Sequence, residues 1–188
     1  MKRIAAKYLY PLTSTEPVMN GFVEMEEDGI VIRTGVCADP AAEPVYYDGA
    51  VVPGFVNAHC HIELSYMKGL FRKGTGMAGF IDQINELRDT KSMEEKVRDF
   101  TVAMDSLWEQ GVVAMADISN CSDSFAVKAR HPMYTRTFLE VFGTEPEDCG
   151  AVMDGVRRLR EVADCFGIDA APTPHACYTM SPELVTAV

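Results

Sequence analysis

Two histidines stand one residue apart in the stretch PGFVNAHCHIELS, at positions 59 and 61. Because successive side chains of a β-strand point to opposite faces, His59 and His61 would share one face while Cys60 points to the other. Neutral imidazole nitrogen binds borderline divalent ions well. The pair therefore predicts two ligands of one divalent metal ion, zinc in the first place and iron as the alternative. A plainer alternative is that both rings fill space at a strand end and hydrogen-bond the backbone.

The residues around and after this pair alternate between strand and helix signals. AVVPGFVNAH is a continuous apolar run, typical of strands that are buried on both faces of a parallel sheet. Three more strands are predicted at 112–119, at 133–143 and within 168–179, and helices at 77–87, 92–111, 122–130, 146–167 and from 181 onward. Ser92 and Glu95 form a capping-box signal at the start of the second helix. Four successive βα units predict a parallel α/β fold, either a barrel or an open sheet.

The first fifty residues have a different pattern, of short β-prone runs separated by turn signals. The runs are RIAAKYLYPL, NGFVEME, GIVIRTGV and EPVYYDGAVV. They predict a small antiparallel sheet, which would be marginal alone because it has few strands. We therefore expect two parts, residues 1–50 and residues 51–188.

Charge and cysteine content restrict the classes of partner and compartment. The chain carries 28 Asp and Glu against 17 Lys and Arg, a net charge of -11, which argues against nucleic acid or an anionic membrane as partner. A neutral or cationic small molecule fits better. The six cysteines include no C-x-x-C pair, and no stretch has the length of a signal peptide or a membrane span. We expect reduced cysteines and a cytoplasmic protein.

Several of these segments also resemble a known family. VVPGFVNAHCH, following YDGA, resembles the first-strand motif of the amidohydrolase superfamily, and TPHACYTMSPEL is similar to a segment of its deaminase and chlorohydrolase branch. Within that branch, HIELS and DISN are most similar to aminodeoxyfutalosine deaminases. The resemblance runs the length of the chain and implies the N-terminal half of a TIM-like (β/α)8 barrel, about four βα units, in residues 51–188. Residues 1–50 would be part of a small β-sandwich.

The size of the chain agrees with that implication. A closed (β/α)8 barrel typically uses about 250 residues, and residues 51–188 provide about half of that. In this family a glutamate that shuttles protons and further metal ligands come from later strands, which implies that the chain is truncated and inactive alone.

The resemblance also implies an activity and a first set of roles. It implies a metal-dependent hydrolase that deaminates an adenine-type or other amino-heterocycle, with His59 and His61 as metal ligands. His175 would be a catalytic group near the metal that orients the substrate and is not itself a ligand. Without the family, His175 is a loop histidine for which functional and structural roles stay open.

Other polar residues stand where they are able to serve such a site. Glu63 and Tyr178 are candidate substrate-binding residues, although a solvated carboxylate and a ring packed on the rim are the alternatives. Asp117 and Glu140 end the second and third predicted strands, where carboxylates are available to the pocket or to hydrogen bonds that orient metal ligands. His131, between a helix and a strand, is expected at the surface.

Two other functions remain open from the sequence. One is a non-catalytic half-barrel that binds a partner, pairs with itself as a homo-oligomer, or associates with a missing C-terminal half, because an open sheet exposes its edges. The other keeps the hydrolase but changes the substrate, to a carbon-chlorine bond or a cyclic amide.

Overall fold

A computed structural model describes all residues from Met1 to Val188, in two compact units, Met1–Gly54 and Phe55–Val188. The sequence predicted the boundary at residue 50, and the structure has it after Gly54, directly before the strand that contains His59. None of its helices combines the length and the apolar character needed to cross a membrane. All six cysteines are free.

The first unit is a four-stranded sheet with the order β3-β2-β1-β4. Its strands are β1 (Lys2–Leu9), β2 (Val18–Met25), β3 (Val31–Val36) and β4 (Tyr46–Val51). The first three strands are antiparallel, but β4 pairs with β1 in parallel, so the prediction of a purely antiparallel sheet was wrong. Parallel neighbours require a crossover connection. The chain makes it through the 3-10 helix Pro40–Ala42, which carries β4 to the edge opposite β3.

The second unit is a sheet of four parallel strands in sequential order, covered by helices. The strands are β5 (Phe55–Cys60), β6 (Val112–Ser119), β7 (Tyr134–Val141) and β8 (Asp169–Pro174). The helices are α1 (Gly76–Leu87), α2 (Met93–Glu109), α3 (Phe125–Lys128), α4 (Cys149–Cys165) and α5 (Pro182–Ala187). The predicted α/β architecture with about four βα units is confirmed, and the sheet is open, a partial TIM-like barrel.

One row of residues across this sheet shows which face is covered. Cys60, Asp117, Thr137 and Ala170 are register partners on the four strands, so their side chains lie on the same face. Asp117 and Thr137 have no exposed surface. This is the covered face. Residues that alternate with these along the strands lie on the opposite, open face, and His59, beside Cys60, is exposed.

Helix α2 packs against strand β6 and the segment that follows β5. Its first turn has the predicted capping box, in which the Ser92 hydroxyl accepts from the Glu95 backbone N–H and the Glu95 carboxylate accepts from the Ser92 N–H. Phe100 and Met104 on its buried face are fully enclosed and pack in one cluster with Met115 of β6. Packing of α2 therefore holds β6 and the segment after β5 together.

We expect Phe100→Ala to lower the free energy of unfolding by about 3–5 kcal/mol, because it removes a fully buried aromatic ring and leaves a cavity. Val102 is on the same helix and 67% exposed, so Val102→Ala is the matched control, with a change within about 0.5 kcal/mol. Urea unfolding followed by circular dichroism measures both. Equal losses in the two variants would contradict this description of the core.

Candidate metal and substrate site

The two histidines of the predicted pair lie side by side at the carboxyl end of β5. The strand ends at Cys60, and His61 precedes the 3-10 helix Ile62–Met67. The ring centres of His59 and His61 are 5.2 Å apart, with 66° between their planes. Nδ1 of His61 is buried and has no hydrogen-bond partner. The arrangement thus contains one polar atom that nothing in the protein satisfies.

This geometry suits two ligands of one ion. Two imidazoles on a tetrahedral zinc, with zinc-nitrogen distances of about 2.1 Å, place their ring centres about 5 Å apart. Edge-to-face aromatic pairs fall in the same range, so the unpaired nitrogen of His61 is the more informative observation. No group of three or more His, Cys, Asp or Glu is arranged to hold a metal ion. The residues present therefore fit a metal but supply only two ligands.

Asp117, a predicted candidate, lies on the covered face of the sheet. Its Oδ1 accepts a hydrogen bond of 2.7 Å from the backbone N–H of Ile62, the residue directly after His61. Its Oδ2 accepts from the Ser119 hydroxyl at 3.1 Å and forms a buried salt bridge with Lys128. The carboxylate therefore holds the backbone beside His61 and does not contact either imidazole ring.

Glu63, a predicted substrate-binding residue, is buried and fully engaged by the loop that leaves β6. Its Oε2 accepts from the backbone N–H groups of Asn120 at 2.9 Å and Cys121 at 3.2 Å. Its Oε1 accepts from the Asn120 side-chain amide at 3.2 Å. The alternative of a solvated loop carboxylate is therefore wrong. A substrate contact of Glu63 stays a prediction.

Glu140 and His175, at the ends of β7 and β8, are brought together on the open face. Glu140 Oε2 accepts from Asn120 Nδ2 at 2.8 Å, so one amide group bonds the carboxylates of both Glu63 and Glu140. His175 Nε2 lies 3.8 Å from Glu140 Oε1, and its Nδ1 lies 2.9 Å from the Thr179 hydroxyl. A continuous set of contacts thus joins the exits of β6, β7 and β8.

Tyr178 extends into solvent beside this set. It is 80% exposed, and its ring centre lies 6.3 Å from that of His175. Phe142 is at the same distance from His175, with its ring also edge-to-face. Two aromatic rings therefore flank the histidine, and binding of substrate by Tyr178 stays a prediction.

Three residues of the site were not found from the sequence: Asn120, Lys128 and Thr179. Asn120 directly follows a predicted strand and Thr179 lies in a predicted exit loop, positions at which polar side chains of a parallel sheet meet. Lys128 gave no such signal, because an ion pair across two elements leaves no local pattern.

Two partly buried cysteines lie near the site. Burial raises the pKa of the Cys60 thiol to about 11, and burial together with the Glu63 carboxylate raises the pKa of Cys121 to about 12. Both are therefore neutral thiols near pH 7 in the absence of a metal ion.

Solved structures with the same fold include deaminases and a chlorohydrolase. Helicobacter pylori aminofutalosine deaminase in complex with methylthio-coformycin has a TM-score of 0.76 and 20% identity, over 100% of this chain and 47% of that one. An adenosine deaminase from Xanthomonas campestris with bound zinc has a TM-score of 0.71 and 20% identity, over 94% and 43%. Atrazine chlorohydrolase from Arthrobacter aurescens complexed with zinc has a TM-score of 0.71 and 14% identity, over 98% and 49%.

This likeness establishes the fold. The chain spans about half the length of the structures that it matches. No protein-family model and no curated protein sequence matches it. The resemblance in sequence to the deaminase and chlorohydrolase branch of the amidohydrolase superfamily is thus confirmed at the level of the fold.

We expect Lys128→Met to lower the free energy of unfolding by about 3–5 kcal/mol, because it leaves the Asp117 carboxylate charged, buried and without its cation. The double variant with Asp117→Asn should lose less, since an uncharged amide needs no partner cation and keeps an oxygen for the Ile62 N–H. Urea unfolding measures both. A single variant as stable as the wild type, or a double variant less stable than the single, would contradict this role.

Proposed function

We propose that the chain belongs to a metal-dependent hydrolase of the amidohydrolase superfamily that deaminates an amino-substituted heterocycle, such as an adenine-type base. The observation that carries the proposal is the pair His59 and His61, 5.2 Å apart at the carboxyl end of the first parallel strand, with one buried nitrogen unsatisfied. Active sites of (β/α)8 folds form at this end of the strands. The fold shared with a zinc-containing deaminase and a zinc-containing chlorohydrolase supports the same assignment.

Each residue of the site then has a task. His59 and His61 hold the ion, which is zinc or, alternatively, iron. Zinc in hydrolytic sites makes a water molecule reactive near neutral pH by lowering its pKa to about 7. His175 orients the heterocycle beside this centre, and the exposed ring of Tyr178 is placed to contact it. Glu63 and Asp117 keep the adjoining backbone in position.

The two imidazoles are fewer than the three protein ligands that a hydrolytic zinc normally has. We therefore propose that these 188 residues bind metal weakly and do not turn over substrate by themselves. The remaining ligands and the carboxylate that moves the proton from water to the leaving group would be supplied by further chain. The protein would act in the cytoplasm, without nucleic acid or membrane as partner.

The leaving group divides this proposal into two variants. Deamination is favoured by the sequence similarity of HIELS and DISN and by the shared fold of two deaminases. Cleavage of a carbon-chlorine bond is the second variant, supported by the shared fold of atrazine chlorohydrolase. Release of ammonia or chloride by the whole protein separates them, and hydrolysis of a cyclic amide would release neither.

A second candidate function is association without catalysis. Strands β5 and β8 are the two edges of the sheet, and each has a neighbouring strand on one side only. Phe55 and Val56 on β5 are 58% and 66% exposed. An open edge with exposed apolar side chains favours pairing with another sheet, either a second copy or the complementary half of a barrel.

We expect His59→Gln and His61→Gln each to weaken zinc binding at least tenfold. Loss of residues that only support metal ligands costs about 10–100-fold in affinity, so loss of a ligand should cost no less. Isothermal titration with zinc measures the change. His175→Gln is the matched control, and its affinity should equal that of the wild type because His175 is not a ligand.

An equal loss in His175→Gln, or no loss in the other two variants, would contradict the ligand assignment. Zinc-dependent release of ammonia from adenine by the 188-residue chain, abolished by His59→Gln, would contradict only the proposed inactivity.

A further inference from the structure

The hydroxyl of Thr179 is in contact with two groups at once. Its Oγ1 lies 2.9 Å from the carbonyl oxygen of Ala176 and 2.9 Å from Nδ1 of His175. A carbonyl oxygen accepts but never donates, and a hydroxyl has a single hydrogen to give. The Thr179 hydrogen is therefore committed to the Ala176 carbonyl, and Oγ1 has only lone pairs to offer His175.

This commitment fixes the state of the imidazole. A lone pair facing Nδ1 at hydrogen-bond distance requires a hydrogen on Nδ1, so neutral His175 has its proton there and Nε2 carries a lone pair. Neutral histidine in water favours the opposite form, with hydrogen on Nε2. Thr179 thus selects the form of His175 that is less populated in solution.

The neighbouring carboxylate adds a second acceptor beside Nε2. Asn120 occupies Oε2 of Glu140, whereas Oε1 accepts no hydrogen bond and lies 3.8 Å from His175 Nε2. The Asn120 amide nitrogen also donates to the Glu63 carboxylate. If the amide were flipped, its oxygen would face both carboxylates, so the nitrogen stays directed at Glu140. Two unoccupied acceptors therefore stand next to each other with no donor between them.

We propose that Thr179 positions His175 so that Nε2 and Glu140 Oε1 form a subsite for an N–H donor, namely the exocyclic amino group of a heterocycle. An amino group has two hydrogens and can bond both acceptors. A ring edge that offers only lone pairs would leave both acceptors without a donor. The proposal rests on the proposed function for the kind of ligand. The assignment of the imidazole proton is independent of it.

The proton on His175 is measured first, without ligand or metal. The chain has four histidines, and long-range 1H–15N correlation spectra of the protein labelled with 15N-histidine distinguish the two neutral forms, with His175→Gln assigning the signals. At about pH 8.5, well above the ordinary histidine pKa of about 6.5, we expect hydrogen on Nδ1 of His175. Thr179→Val, which is isosteric but lacks the hydroxyl, should shift the population toward the Nε2 form.

Thr179→Ser keeps the hydroxyl and should keep the wild-type form. Hydrogen on Nε2 in the wild type, or the same form in the Val and Ser variants, would overturn the role of Thr179. A purely structural role of Thr179 would alter stability without moving the proton.

Binding of the donor is measured next, with adenine and with purine, which lacks the amino group. The His175 ring signals should respond to adenine at about fivefold lower concentration than to purine, the effect of one net hydrogen bond of about 1 kcal/mol. Equal responses, including none to either compound, would overturn the donor subsite. The metal-binding result for His59 and His61 would be unaffected, so the two proposals fail separately.

Discussion

The hydrogen bond from the Ile62 backbone to the buried carboxylate of Asp117 is the contact on which the rest of the site depends. It joins the segment that leaves β5 to the middle strand next to it, at the residue after His61. A buried carboxylate must be paired to be tolerated, and Lys128 provides the pair from α3. The buried ion pair of Asp117 and Lys128 thereby fixes the position of the backbone beside His61.

Neighbouring side chains also hold the polar groups on the open face of the sheet. There the Asn120 amide holds the carboxylates of Glu63 and Glu140, and Thr179 holds the imidazole of His175. Glu63 and Glu140 are held by an amide from a different βα unit and His175 by a hydroxyl of its own loop, so the edge is organised before any ligand arrives. Such preorganisation favours hydrolysis, because groups that are already in position need no binding energy to order them.

The sequence was sufficient for the βα architecture and for the position of the histidine pair, and insufficient for the parallel pairing of β4 and for the partners of single side chains. Apolar runs and the capping box at Ser92 are local patterns, and the structure has the strands and helices that they predict. By contrast, His131 was expected at the surface, but its side chain is only 8% exposed and contacts Asp105 of α2. The Lys128 ion pair was missed for the same reason, since both contacts join residues whose pairing depends on how helices pack.

We propose that His59 and His61 share one cation. X-ray absorption at the zinc edge tests this sharing because the spectrum counts the imidazoles bound to the metal, and the wild-type protein is kept in large excess over zinc so that a weakly bound ion is on the protein. We expect two imidazole nitrogens at about 2.0–2.1 Å, together with the outer-ring scattering of two rings. A spectrum with a single imidazole, or with none, would contradict it.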